Sequence, residues 1–97
     1  MEREVIRASD MYEATFYLSH QATLDGIEVI KENGEDICLL TLSNEDLISL
    51  QATYFSGKCK VNLITFRRNY SRLKTLVYNA KKNARKQERQ LQQGGQR

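Results

Sequence analysis

From residue 62 onward the chain has one regular structure open to it. Leu63, Phe66, Tyr70, Leu73, Val77, Ala80 and Ala84 recur at alternating spacings of three and four, Leu91 continues the register, and no proline interrupts it. Spacing of that kind gathers apolar side chains on one face of an α-helix. Asn62 can cap its start, so a single helix is expected from about Asn62 to Gln90. Gln92 to Arg97 is expected to be a disordered tail, because Gly94 and Gly95 terminate the helix and nothing apolar anchors it. A helix of about 29 residues spans roughly 40 Å, more than a small core needs. Past Ala80 its side chains are mostly alanine, basic and amide, so this end is expected to project. The chain is accordingly read as one small α+β domain over residues 1–78, with residues 79–97 as a projecting basic helix end and tail.

The α+β reading comes from what precedes that helix. Ser9 and Asp10 stand before an aromatic-rich run, with Glu13 three residues after Asp10, as in a capping box. Met11, Ala14, Leu18 and Ala22 share a helical face flanked by Tyr12 and Phe16, giving a short helix from about Asp10 to His20. Ile27 and Val29, then Ile37, Leu39 and Leu40, flank Asn33-Gly34, a pair suited to the positive φ angles of a tight hairpin turn. A β-hairpin over Leu24 to Leu42 follows. Its second strand, Ile37 to Leu42, is almost continuously apolar and is expected to be covered on both faces or shared with another subunit, which favours a homodimer or higher oligomer. Ser43 and Asp46 then read as a second capping box before a helix carrying Leu47, Leu50 and Tyr54 with Ile48 and Phe55, stopped by Gly57. The predicted order is short helix, hairpin, helix, long basic helix. Phe55, Phe66 and Tyr70 are assigned to the core, whereas Tyr78 stands off the apolar stripe beside Lys81 and Lys82.

Charge is distributed very unevenly along this framework. Residues 1–57 hold three basic side chains against eleven acidic, a net of −8, and residues 58–97 hold twelve against one, a net of +11. Asymmetry of this kind points to a polyanionic partner or to association of opposite ends. On the long helix Arg68, Arg72, Asn79, Lys82, Lys86 and Arg89 follow one stripe, and Arg67, Lys74, Lys81 and Arg85 a neighbouring one. Lys and Arg side chains along a projecting helix are suited to neutralising phosphates. The candidate nucleic-acid-binding residues are therefore Arg67, Arg68, Arg72, Lys74, Lys81, Lys82, Arg85, Lys86 and Arg89. Two other readings of the same charge are a solvated surface and a docking face for an acidic protein.

Other chemistries lack their residues. His20 is the only histidine, and neither Cys38 nor Cys59 has a partner at metal-ligand spacing, so no metal or cofactor is expected. No serine sits in a nucleophile elbow and the five glycines form no phosphate loop. A Cys-His dyad using His20 is conceivable but has no identifiable orienting group, and the chain is not read as an enzyme. No run approaches the length of a membrane span, and the N-terminus lacks an apolar signal core. A cytoplasmic location without membrane contact is expected.

Asp10-Met11-Tyr12-Glu13-Ala14 with Phe16-Tyr17-Leu18, then Leu24-Asp25-Gly26-Ile27-Glu28, Tyr54-Phe55-Ser56-Gly57-Lys58 with Val61, and Phe66-Arg67-Arg68 with Leu73-Lys74 together resemble a family of small uncharacterised proteins of bacteria, archaea and their viruses. The chain departs from that pattern at His20-Gln21, where a basic residue and glycine are usual, and in its long basic extension. The resemblance implies a viral or mobile-element setting, with a viral protein acting in the host cytoplasm, and it implies no activity. The expected function is that of a small accessory protein binding nucleic acid non-specifically through the basic helix. The alternative is a protein-binding adaptor or inhibitor acting through its hairpin edge or acidic face.

Overall fold

Asn33 and Gly34 turn the hairpin as their residue types require, with φ of 53° and 81°. A computed structural model of the chain describes residues 3–94, with side chains as far as Arg89. The element order is β1 (Glu4–Ala8), α1 (Met11–Ser19), β2 (Thr23–Glu32), β3 (Glu35–Asn44), α2 (Leu47–Phe55) and α3 (Leu63–Gly94), an α+β fold. The sheet is antiparallel in the order β1-β3-β2. The apolar strand β3 is therefore central, with β1, which the sequence pattern does not reveal, as its second paired neighbour.

Pairing dictates which side chains share a face. Ile6, Leu42 and Leu24 align across the three strands, as do Ala8, Leu40 and Ile27, and all six are buried or packed against the core. Leu24 and Ile27 are three residues apart, so strict alternation would put them on opposite faces. A bulge that leaves Asp25 outside the pairing absorbs the extra residue. The opposite face carries Val5, Ile30, Ile37 and Leu39, of which Val5 is exposed and the others half-buried. The expectation that β3 is covered on both faces is thus met on one face only.

Helix α1 is the centre of the core. Asp10 caps it, its carboxylate accepting from the Tyr12 and Glu13 N–H groups at 2.7 and 3.1 Å. Glu13 through Tyr17 are all buried, so the helix is enclosed nearly all round. Glu13 does not reach back to the cap as a capping-box residue would. Its carboxylate accepts the Tyr17 hydroxyl at 2.6 Å. Burial, and then the Glu13 carboxylate, push the Tyr17 phenol far above its ordinary pKa. The fold favours the protonated phenol, so this contribution is complete below the unfolded pKa near 10 and is lost as pH climbs above it. Urea midpoints are expected to fall between pH 8 and pH 11, and Tyr17→Phe is expected to flatten that fall while lowering the midpoint at pH 8. An equally steep fall in the variant would assign the alkaline loss to other groups.

Two corrections concern α2. Ser43, expected as its cap, lies in β3, is buried, and its hydroxyl accepts from the Arg3 guanidinium at 3.2 Å. The helix entry is instead set by Asn44, whose side chain accepts from Asp46 N–H at 2.8 Å, and by Glu4 of β1, which accepts from Ile48 N–H at 3.0 Å. Phe55, assigned to the core, is 67% exposed. The nine-residue helix buries only Leu47, with Leu50 and Tyr54 packed partly against the core. Gly57 ends the segment at φ 77° as expected.

Helix α3 starts at the predicted cap, Asn62 accepting from Thr65 N–H at 3.0 Å. It runs to Gly94, four residues past the expected end, because Leu91, Gln92 and Gln93 are good helix formers. Part of the expected disordered tail is thus helical, and residues 95–97 fall outside the described residues. Leu73 and Val77 are buried, while the small Ala80 and Ala84 bring the helix close to β2 and β3. Lys31 Nζ meets Glu88 Oε1 at 2.6 Å and Arg85 Nε meets Asp36 Oδ2 at 3.3 Å. Through Glu88, the turns expected to project lie alongside the hairpin.

Candidate nucleic-acid interface

No Asp or Glu occurs from Leu47 to Gln87, so nearly all of α3 is free of its own acidic side chains. The side turned to the core carries Phe66, Leu73, Val77 and Ala84, and the cations occupy the rest of the circumference as helical periodicity requires. Eight of the nine candidate cations are exposed and Lys81 is half-buried. Lys81, Lys82, Arg85, Lys86 and Arg89 come together with Tyr78 around one shallow recess of about 380 Å³. Their spacing of three and four residues puts neighbouring heads within reach of one polyanion.

The remaining candidates are separated from that cluster. Lys74 lies one turn before Tyr78 and acts electrostatically on the Tyr12 phenol. Arg67 precedes it on the same side. Arg68 is further round the helix, and Arg72 borders a different recess, of about 220 Å³, lined by Leu18, Leu24, Asn69, Leu73 and Leu76.

Two cluster features were invisible in the sequence. Arg85 is committed to Asp36, although its 67% side-chain exposure leaves that pair weak. Its other guanidinium nitrogens have no protein partner among the described residues. Glu88, the one acid in this stretch, turns away to Lys31 and raises that lysine's pKa through their hydrogen bond. The acid is thus held toward the hairpin, off the side presented by Lys82, Lys86 and Arg89.

Aromatic side chains stand on the same i+4 row as Lys74, Lys82 and Lys86. Tyr78 is 66% exposed. Tyr12 lies parallel to Tyr70 with ring centroids 5.3 Å apart, and the Tyr70 phenol beside it raises the Tyr12 pKa. Tyr12 was read from sequence as flanking a helix face; the signal it carried was its place off the apolar stripe, as with Tyr78.

The thiols and the histidine are placed elsewhere. Cys38 is buried, and burial raises its pKa, which disfavours the nucleophilic thiolate. His20 Nε2 sits 2.7 Å from the Lys60 carbonyl oxygen, to which it donates. Among the described residues no group of three potential ligands could hold a metal ion, and no helix is long and apolar enough to cross a membrane. No family model, curated protein or solved structure matches the chain.

Proposed function

We propose that this protein binds nucleic acid without sequence preference, through phosphate contacts made by the basic side of α3. The supporting observation is the recess where five cations surround an exposed tyrosine on a helix stretch whose own one acid, Glu88, is drawn off to Lys31. Such a surface gains affinity by releasing counterions and reads no base edge. Lys82, Lys86 and Arg89 are the principal phosphate ligands, Lys81 and Arg85 contribute from the flank nearer the hairpin, and Arg67, Arg68, Arg72 and Lys74 extend the field toward the start of the helix. The setting we assign is a cytoplasmic accessory protein of viral or mobile-element origin. The family resemblance is part of this proposal: Gln21 holds φ 69°, a left-handed conformation that glycine adopts without strain, at the position where that family carries glycine. Mobility-shift titrations with duplex DNA, single-stranded DNA and RNA at two salt concentrations test the reading. Complexes are expected at low salt that dissociate at high salt, and an absence of complexes at low salt would overturn it.

A second reading is favoured by the open sheet face, where Val5, Ile30, Ile37 and Leu39 meet water beside Glu28, Glu32 and Glu35. An apolar surface rimmed by acids suits a protein contact, either with an adaptor's target or with another copy.

A further inference from the structure

Tyr12 and Tyr78 are both more than half exposed, at 58% and 66%, and neither belongs to the core. Tyr12 is nevertheless held in place. Its ring lies within 8° of parallel to Tyr70, and Tyr70 lies within 9° of parallel to Phe66 at a centroid distance of 6.4 Å. Phe66 packs against the core, so the three rings form a stack rooted in the protein and ending in water at Tyr12. The energetic preference of aromatic pairs for offset stacking fixes the orientation of that last ring, and a ring already fixed loses little entropy when something else stacks on it.

Cations continue from this stack along α3. Lys74 stands one turn after Tyr70, on which Tyr12 stacks, Tyr78 follows one turn later, and Lys81, Lys82, Arg85 and Lys86 surround Tyr78. Tyr70 and Tyr78 are eight residues apart, roughly 12 Å along the helix axis. Positions 70, 74, 78, 82 and 86 form one i+4 row that winds about 40° round the helix at each step, in the order ring, cation, ring, cations. A duplex has no use for the rings, because its base faces are buried in its own stack and it presents phosphates and groove edges. An unpaired strand offers both, and base faces stack on aromatic side chains with little regard to sequence.

We propose that this winding row on α3 is a site for single-stranded nucleic acid, in which Tyr12, backed by Tyr70 and Phe66, and Tyr78 each stack an unpaired base while Lys74, Lys82 and Lys86 contact the phosphates between and beyond them. The proposal rests on the nucleic-acid reading above and narrows it. Duplexes bind the same cations without engaging the tyrosines, and bind less tightly.

The test compares a thymidine oligonucleotide with a duplex of equal length, at two salt concentrations, for the wild type, for Tyr12→Leu with Tyr78→Leu, and for Tyr12→Phe with Tyr78→Phe. The single strand is expected to bind more tightly. The double leucine variant is expected to lose about tenfold in single-strand affinity for each ring, with duplex affinity and the salt slope unchanged, since stacking releases no counterions. The phenylalanine variant retains the rings and is expected to bind like the wild type. The chain has five tyrosines and no tryptophan, so tyrosine quenching on binding reports stacking directly and is expected to disappear in the leucine variant. Tyr78→Leu alone, at an exposed helix position, keeps the test valid if loss of Tyr12 disturbs the Tyr70 stack. Leucine variants that bind both polymers as the wild type does would overturn the stacking site and leave the phosphate reading standing. Failure of the wild type to bind either polymer at low salt would overturn both.

Discussion

Replacing Lys81, Lys82, Arg85, Lys86 and Arg89 together by glutamine is expected to reduce the slope of log affinity against log salt on duplex DNA by about 2.7 to 4.5, three to five contacts at roughly 0.9 each. The upper figure counts all five side chains. The lower omits Lys81, which is half-buried, and Arg85, which is engaged with Asp36. Between 50 and 200 mM salt each lost contact removes about a 3.5-fold dependence, so the variant should be far less salt-sensitive and much weaker at the low-salt end. Folding should be little affected: glutamine preserves helix propensity, and the Arg85–Asp36 pair is too exposed to contribute more than about 1 kcal/mol. Thermal melts within about 8 °C of wild type are expected. Unchanged affinity in this variant would remove α3 as the binding surface, and a much larger drop in melting temperature would show that these turns hold the fold together.

Phe16→Ala is expected to have the largest effect on stability. Phe16 is 2% exposed, and its ring contacts His20 edge-on at 4.6 Å and Tyr54 at 5.6 Å. Removing it leaves a cavity at the meeting of α1 and α2, at a cost of about 3 to 5 kcal/mol. A domain of this length has roughly 5 to 15 kcal/mol in total, so a fall of some 15 to 30 °C in melting temperature is expected by calorimetry. Sequence periodicity placed Phe16 beside the helix face, where truncation would cost about 1 kcal/mol. A shift of only a few degrees would favour that placement over a helix buried all round.

The parts legible in the sequence were those specified locally. Asn33-Gly34 sets its own turn, Asp10 and Asn62 cap the residues next to them, and the period from Leu63 to Ala84 needs only its own count. The parts missed depend on contacts distant in sequence. Strand β1 is five residues with charges at Glu4 and Arg7, too short for alternation to stand out, and it exists because β3 offers it an edge. Ser43 looked like a cap because serine and a carboxylate three residues on look alike in either setting; the Arg3 guanidinium and the pairing with β1 make it a strand residue. The distal helix was expected to stand clear because alanines bury little, yet small side chains are what permit close approach to a sheet, and the Lys31–Glu88 and Arg85–Asp36 pairs join residues about fifty apart. Of the candidate site, the cations were read directly from spacing, whereas the division between the distal cluster and Arg72, and the stacking of Tyr12 on Tyr70, required the fold.

The bulge at Asp25 also bears on how the chain would tolerate changes in length. Within a regular strand, inserting or deleting one residue exchanges the inner and outer faces of everything beyond it. The first turn of β2 already contains one surplus residue, exposed, next to a glycine around which a side chain would meet open space. A length change there can be taken up by converting bulge to regular ladder or widening it, leaving Ile27, Val29 and their partners in phase. The same change at Thr41 of β3, where β1 and β2 both pair, would put Leu40 and Leu42 on opposite faces and turn one of them out of the core. Natural or engineered insertions in this protein should therefore collect around Asp25 and be excluded from β3.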